Sequence, residues 1–390
     1  MTTYTQIYTP ARREEYQIGP IPTHTTILGI LSSLVVMGAA AGLGRLFIGL
    51  GATTSLTDGY PWGIWIGFDF TLIALAGAGF TLAAVVHVFH LHRFQPVLRP
   101  ALLTGLLGYV AVLLLLVIDL GRPDKFYSFI INWNMHSPLF EISWCVLLYS
   151  TVLAIEVSPD LFRRLGWDRF RRWALAIMTP VSILGVTLST LHQSTLGTLY
   201  LNMPHRLDVL WYTPVLPLLF YVSSIMAGLS VAMLVYRLAC GIQGVAEKPE
   251  IGRGLGVGVA CIGLLYLAIK LGELAWRGQL AQLWSGEYLP GLMLAELGLG
   301  VAIPALLMLI PALGHRSGVQ TLAAGLVIGG VMLNRFDATL FAQTPTLTGF
   351  TYTPHILEWL TTVGILAAAA LVWYVGVQYL DYLKLPDHDH

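Results

Sequence analysis

The sequence predicts an all-α polytopic membrane protein. Ten transmembrane helices form two four-helix bundles with two flanking helices, and both termini lie in the cytoplasm. Three observations predict this. The first is composition: 56% of the 390 residues are hydrophobic and 11% charged, with a mean hydropathy of +0.72. Soluble domains run at about 45–50% apolar and about 25% charged. The second is length: ten apolar stretches, at 26–50, 62–90, 98–120, 138–157, 173–201, 211–238, 254–276, 290–312, 317–341 and 355–382, reach the roughly 20 residues a spanning helix needs. Their continuous apolar runs exclude the alternation of a β-barrel. The third is charge bias: fourteen of the 21 Lys and Arg residues fall on one side if the N-terminus is inside, with "FRRLGWDRFRRW" (162–173) as the strongest anchor.

Along the chain, residues 1–25 are polar and lack the basic start, apolar core and small-residue cleavage site of a signal peptide, so they read as a cytoplasmic segment. Residues 26–61 supply the first helix and an outer loop. The two bundles read as 62–203 and 204–341. Residues 342–390 hold the tenth helix and a cytoplasmic tail. A weak internal repeat supports the division. "IDLGR" (118–122) precedes Glu141 as "GELAWR" (272–277) precedes Glu296, so that Asp119 and Glu141 correspond to Glu273 and Glu296. The formal net charge of zero gives no nucleic-acid reading, and membrane lipid is the surrounding partner. Cys145, Cys240 and Cys261 are far apart, with no CxxC or CxxCH, so neither an iron–sulfur cluster nor a c-type haem is encoded, and no metal site is expected. The histidines of "HVFHLH" (87–92) sit at one helix end, a poor place for the opposed pair a b-type haem needs.

Nearly every ionisable group at membrane depth falls in the outer half. Asp69 lies early in the second span, Asp119 ends the third, Glu141 opens the fourth and His192 is toward the outer end of the fifth. Lys270 and Glu273 close the seventh, Glu296 opens the eighth, Arg335 and Asp337 end the ninth, and His355 and Glu358 open the tenth. The inner half is mostly Leu, Val, Ala and Gly. A carboxylate in hydrocarbon costs several kcal/mol unless it has partners or a task.

The chemistry that suits this pattern is quinone reduction or quinol oxidation. The ring is flat and apolar, carries two carbonyl oxygens, and exchanges two electrons and two protons. Trp62, Trp65 and Asp69, at i, i+3 and i+7, share a helix face that stacks a ring above a carboxylate. His192 and Gln193 offer donors to a carbonyl oxygen. Arg122 and His136 lie at the outer mouth. Asp69, Asp119, Glu141 and His192 are the candidate reactive groups, and Glu273, Glu296 and Arg335 the candidate proton relay of the second bundle. Thr71, Thr104 and Tyr109 are candidates for carrying protons through the inner half. Plainer readings stay open: Asp119–Arg122 and Glu273–Arg277 as salt bridges, Asp69 bonded to a neighbouring Ser or Thr, His192 as a packing histidine, Trp62 and Trp65 as interfacial aromatics. A transporter or a structural anchor stays open as well.

The stretches "GYPWGIWIGFDF", "QPVLRPALLTGLLGY", "IDLGR", "SPLFE", "SPDLFRRLGW", "LHQSTLGTLY", "LGELAWRG" and "TPHILEW", in order from about residue 27 to 383, resemble the NrfD/PsrC superfamily of quinone-interacting membrane subunits, in particular the HybB-like subunits of periplasm-facing nickel–iron hydrogenases. The resemblance implies ten helices, no bound haem or iron–sulfur cluster, and an exchangeable menaquinone or ubiquinone near the outer surface. It implies an extracytoplasmic ferredoxin-like iron–sulfur partner, catalytic subunits such as a nickel–iron hydrogenase, and residence in the bacterial cytoplasmic (inner) membrane. Such a chain is not catalytic alone; it is the quinone-reactive part of a complex. Related subunits of DsrP-type sulfur-metabolism, multihaem-cytochrome and alternative complex III assemblies share the fold and the quinone chemistry.

Overall fold

The computed structural model describes residues 24–344, 352–380 and 382–383. The polar stretch up to residue 23, with Arg12 and Arg13, and Lys384 in the tail lie outside the described residues. Among those described, nine helices are long and apolar enough to cross a membrane, and a bent pair supplies a tenth. They are α1 (His24–Ile48), α2 (Ile64–Val88), α3 (His92–Asp119), α4 (Pro138–Arg164), α5 (Met178–Leu201), α6 (Leu216–Gln243), α7 (Pro249–Trp276), α8 (Tyr288–Leu309), α9 (Ser317–Phe341) and α10 (Ile356–Leu380). A short helix, Asp168–Ala176, carries the arginines of the 162–173 loop into α5 across a 58° bend.

Contacts close α2–α5 into one ring of four helices and α6–α9 into a second. α6 joins them, packing on α2, α3 and α5 as well as on α7 and α9. α1 and α10 pair with each other, and α10 lies against α3. One end of the assembly holds Asp69, Asp119, Glu141 and Glu296 and is called the carboxylate end here. The opposite end, with the 162–173 loop, is the arginine end.

Small residues set the closest helix approaches, as expected where lipid supplies no hydrophobic drive between helices. A Cβ on Gly228 of α6 would stand 2.8 Å from the backbone carbonyl of Gly77 on α2. Gly38 of α1 meets Gly364 of α10 backbone to backbone. Gly228→Val therefore forces the two bundles apart. Overpacking of this kind costs about 1–3 kcal/mol. The expected result is a lower thermal midpoint in detergent by scanning fluorimetry, with Gly241→Val, which has open space around it, unchanged.

Two expectations change at this level. α4 runs to Arg164 rather than stopping near 157. This adds the buried Asp160 (7% exposed) to Glu156 (8%), already inside the predicted span, so the half of the membrane near the arginine end is not free of acids. Helix α2 starts at Ile64 behind Gly63 in extended conformation. Trp62 therefore lies outside the helix and does not share the Trp65–Asp69 face.

Candidate functional site

The predicted residues fall into three neighbouring groups at or below the carboxylate end. The first lies where α1, α2, α3 and α10 meet. Asp69 is 2% exposed, and neither carboxylate oxygen has a protein hydrogen-bond partner. Asp119 lies within its electrostatic reach, and Arg45 and Glu358 lie within reach of Asp119. Arg45, itself buried, donates to the Leu120 carbonyl that ends α3. Glu358 acts as a clamp: Oε1 accepts from the backbone amides of Ser55 (2.9 Å) and His355 (3.0 Å). Its Oε2 accepts from the Tyr352 hydroxyl, which in turn accepts from the Ile64 amide (2.9 Å) at the start of α2. Burial and then the Glu358 contact hold the Tyr352 phenol above its ordinary range, so it stays a donor. Trp65 donates its indole N–H to the Glu358 backbone carbonyl (3.2 Å). Glu358 is fully spent on structure, whereas Asp69 beside it is unspent.

The second group runs down the middle of the first bundle. His192 is 0% exposed, and both ring nitrogens lack a protein partner. Its ring lies 5.8 Å from that of Tyr109, which stacks edge-on against Tyr149 at 4.9 Å. Gln193 donates to the Ile73 carbonyl (2.7 Å), one turn below Asp69, and leaves its Oε1 unpaired. Glu141 accepts from the Thr195 hydroxyl (2.9 Å), tying α4 to α5. Trp62 joins Phe70, Tyr200 and Phe220 in an aromatic cluster at the bundle junction.

The third group fills the second bundle. Glu296 accepts from Tyr266 Oη (2.8 Å) and Trp211 Nε1 (3.2 Å). Lys270 donates to the Leu210 carbonyl (2.6 Å), and Glu273 pairs with Arg277 through both its oxygens. Arg335 is 0% exposed. It reaches the Phe220 carbonyl (3.1 Å) and Ser223 Oγ (2.9 Å) on α6, and its guanidinium lies 3.8 Å from the Phe220 ring. Asp337, two residues further on at the start of a π-helical turn, has both oxygens unpaired.

Two predicted residues stand apart. α3 ends at Asp119, so Arg122 leaves the helical face and pairs with Asp124 (2.7 Å) in the exposed loop; the Asp119–Arg122 bridge is not formed. His136 is exposed in the α3–α4 loop. The clamping role of Glu358, together with Arg45, Tyr149, Ser189 and Glu156, belongs to no motif of the sequence. An arginine inside "GLGRLF" and a glutamate inside the apolar run of α4 were the available signals.

An apolar cleft of about 270 Å³ opens between α2, α3, α6 and α10, lined by Leu72, Ala76, Thr104, Gly108, Val231 and Trp373 among others. Leu72 and Ala76 follow Asp69 at i+3 and i+7, on the same face of α2. Gly108 and Thr104 precede Asp119 by 11 and 15 positions, close to whole turns of α3. The cleft thus continues, into the apolar layer, the α2–α3 face that bears the two aspartates. A second cavity, about 490 Å³, lies nearer the arginine end against Phe80, Arg93, Tyr221 and Gly254.

A ten-span bundle with carboxylates buried under one surface and an apolar cleft beneath them defines a membrane subunit built to meet a lipid-soluble partner. The chain belongs to the polysulphide reductase NrfD family, whose sequence model matches residues 52–344, and it is an integral protein of the cytoplasmic membrane. It is 35% identical over 356 residues to a protein of Nitratidesulfovibrio vulgaris, covering 88% of this chain and 91% of that one. It is 30% identical over 368 residues to the probable Ni/Fe-hydrogenase 2 b-type cytochrome subunit of Escherichia coli, covering 93% of each. The menaquinone reductase integral membrane subunit of N. vulgaris is 28% identical over 359 residues, 85% of each chain.

The second of these names raises a b-type haem, which needs two histidines facing one another inside the spans. Among the described residues, His192 is the one buried histidine, and its ring faces Tyr109. His90 and His92 are exposed together beyond the end of α2. Among the described residues, these histidines do not offer an opposed buried pair.

Proposed function

We propose that this chain is the quinone-reactive membrane subunit of a respiratory oxidoreductase complex. Two electrons arrive from an extracytoplasmic ferredoxin-like iron–sulfur partner, the quinone ring is held at the carboxylate end, and its two carbonyl oxygens each take one proton to give the quinol; oxidation runs the same steps backward. The observation that carries the reading is Asp69: a buried carboxylate with no protein partner, one turn above an apolar cleft on its own helix face. A carboxyl placed within reach of a quinone carbonyl oxygen can hand it a proton or take one back. Asp119 is its neighbour in that task, and the cleft takes the isoprenoid tail toward lipid. His192 and Gln193 stand one to two turns deeper. Glu273, Glu296 and Arg335 belong to the second bundle's own network, which braces the first through Arg335 and α6.

The electron partner we favour is a nickel–iron hydrogenase, because the relative named for that enzyme aligns with 93% of this chain. Copurification of a tagged chain tests this: hydrogenase and iron–sulfur subunits are expected, and a sulfur-metabolism or multihaem enzyme in their place overturns the choice. The cleft is tested by Leu72→Trp, which fills it. The expected result is a KM rise of about tenfold for long-tailed menaquinone, with a short-tailed quinone unaffected. Equal effects on both remove the cleft from the route.

A further inference from the structure

We propose that the cavity of about 490 Å³ near the arginine end is a phospholipid site, with one acyl chain inside it and the lipid phosphate on Arg93. The site does not depend on the quinone reading. The cavity lies in the seam between the two bundles. α2 and α6 line it through Phe80 and Tyr221, whose rings stack at 6.5 Å, and α5 and α7 line it through Val186 and Gly258. Phe89 and Cys261, both exposed, mark where it opens to the bilayer. Its volume falls in the range of roughly 300–1,000 Å³ usual for ligand sites.

Three features decide the occupant. The wall is apolar, and its residues include no carboxylate and no histidine, so nothing there exchanges protons with a quinone carbonyl. Its polar groups inside the bilayer are few: the buried, unpaired Thr81 hydroxyl and the Tyr221 hydroxyl, which accepts from Thr190 (3.4 Å). The second feature is a cation at the water end. The Arg93 guanidinium lies 3.7 Å from where a Cβ on Gly254 would stand, in the second turn of α7, and 4.7 Å from the centre of the Phe94 ring. Among the described residues no carboxylate pairs with it. His90 and His92 are exposed on the same linker. The third is depth. From Gly254 to Ile262 the wall runs eight helical residues, or about 12 Å, most of the roughly 15 Å of hydrocarbon in one leaflet.

The backbone is shaped to make this end. α2 closes in a π-helical turn, Ala84–Val88, and His90 takes a left-handed conformation (φ 54°), alone among the described non-glycine residues. Such turns gather at functional sites, and a residue with a Cβ adopts the left-handed region at a cost. Together they bring Phe89, Leu91 and Arg93 to the end of the cavity. A small aqueous anion would leave the apolar wall uncovered, and a chain without phosphate would leave Arg93 without a counter-charge. A phospholipid of the leaflet at the arginine end satisfies both, and basic side chains near that surface favour an anionic head group.

The test adds phosphatidylglycerol with a photoreactive diazirine in one acyl chain to the purified complex in detergent. Adducts are expected on 80–89 of α2 and 254–262 of α7, competed by unlabelled phosphatidylglycerol. Diacylglycerol, which has the chains but no phosphate, competes about fivefold less well, and Arg93→Ala weakens labelling by a similar factor. Ala84→Trp fills the cavity and removes the adducts; Arg93→Ala, at an exposed position, carries the test if Ala84→Trp does not assemble. Adducts scattered over the whole lipid-facing surface, labelling undiminished in Arg93→Ala, or displacement by menaquinone in preference to phosphatidylglycerol overturns the site.

Discussion

Asp69→Asn lowers quinone-linked turnover of the assembled complex by about 10²–10⁴-fold, the usual weight of a positioned acid–base group. The replacement is nearly isosteric, and both carboxylate oxygens of Asp69 lack a protein partner, so no hydrogen bond of the fold is lost. Helix α2 keeps its start at Gly63 and its packing around Trp65. Subunit content on a native gel is expected to match the wild type while quinol formation collapses. Glu358→Gln is the instructive contrast. That carboxylate holds the Ser55 and His355 amides and the Tyr352 hydroxyl, so its loss shows first as poorer assembly. Full turnover in an assembled Asp69→Asn complex removes Asp69 from the site.

Arg335→Leu destabilises the chain by about 3–5 kcal/mol, the cost of removing one member of a buried charged network. The guanidinium joins α9 to α6 through Phe220 and Ser223 and lies in electrostatic reach of Glu296. Without it, Glu296 and Asp337 share the second bundle with no buried guanidinium between them and α6. Lysine restores charge but not the planar fork, so Arg335→Lys recovers part of the loss. Thermal unfolding in detergent is the measurement. A midpoint unchanged in Arg335→Leu contradicts the bracing role.

The spans were legible because apolar runs of bilayer length are rare by chance, and the two-bundle arrangement because acids recur at matching helix ends. What escaped the sequence depended on local endings and distant partners. Trp62 and Trp65 part company because Gly59, Pro61 and Gly63 delay the helix until Ile64. Arg122 misses Asp119 because α3 stops there, which hands the arginine to Asp124. The fourth span was read as ending at 157, yet "SPDLFRR" continues the helix past Pro159 to Arg164, where Asp160 sits between Arg99 (3.5 Å) and Arg163 (3.6 Å). The Glu358 clamp joins residues some 300 positions apart, and no periodicity in one helix announces such a contact.

Photolabelling with a menaquinone analogue bearing a photoreactive ring, followed by peptide mapping of the intact complex, tests most directly where the ring sits. Adducts are expected on α2 between 64 and 76 and on α3 between 104 and 119, competed by excess menaquinone. Adducts confined to the second bundle, or to the cavity beside Phe80, Arg93 and Tyr221, would contradict the assignment.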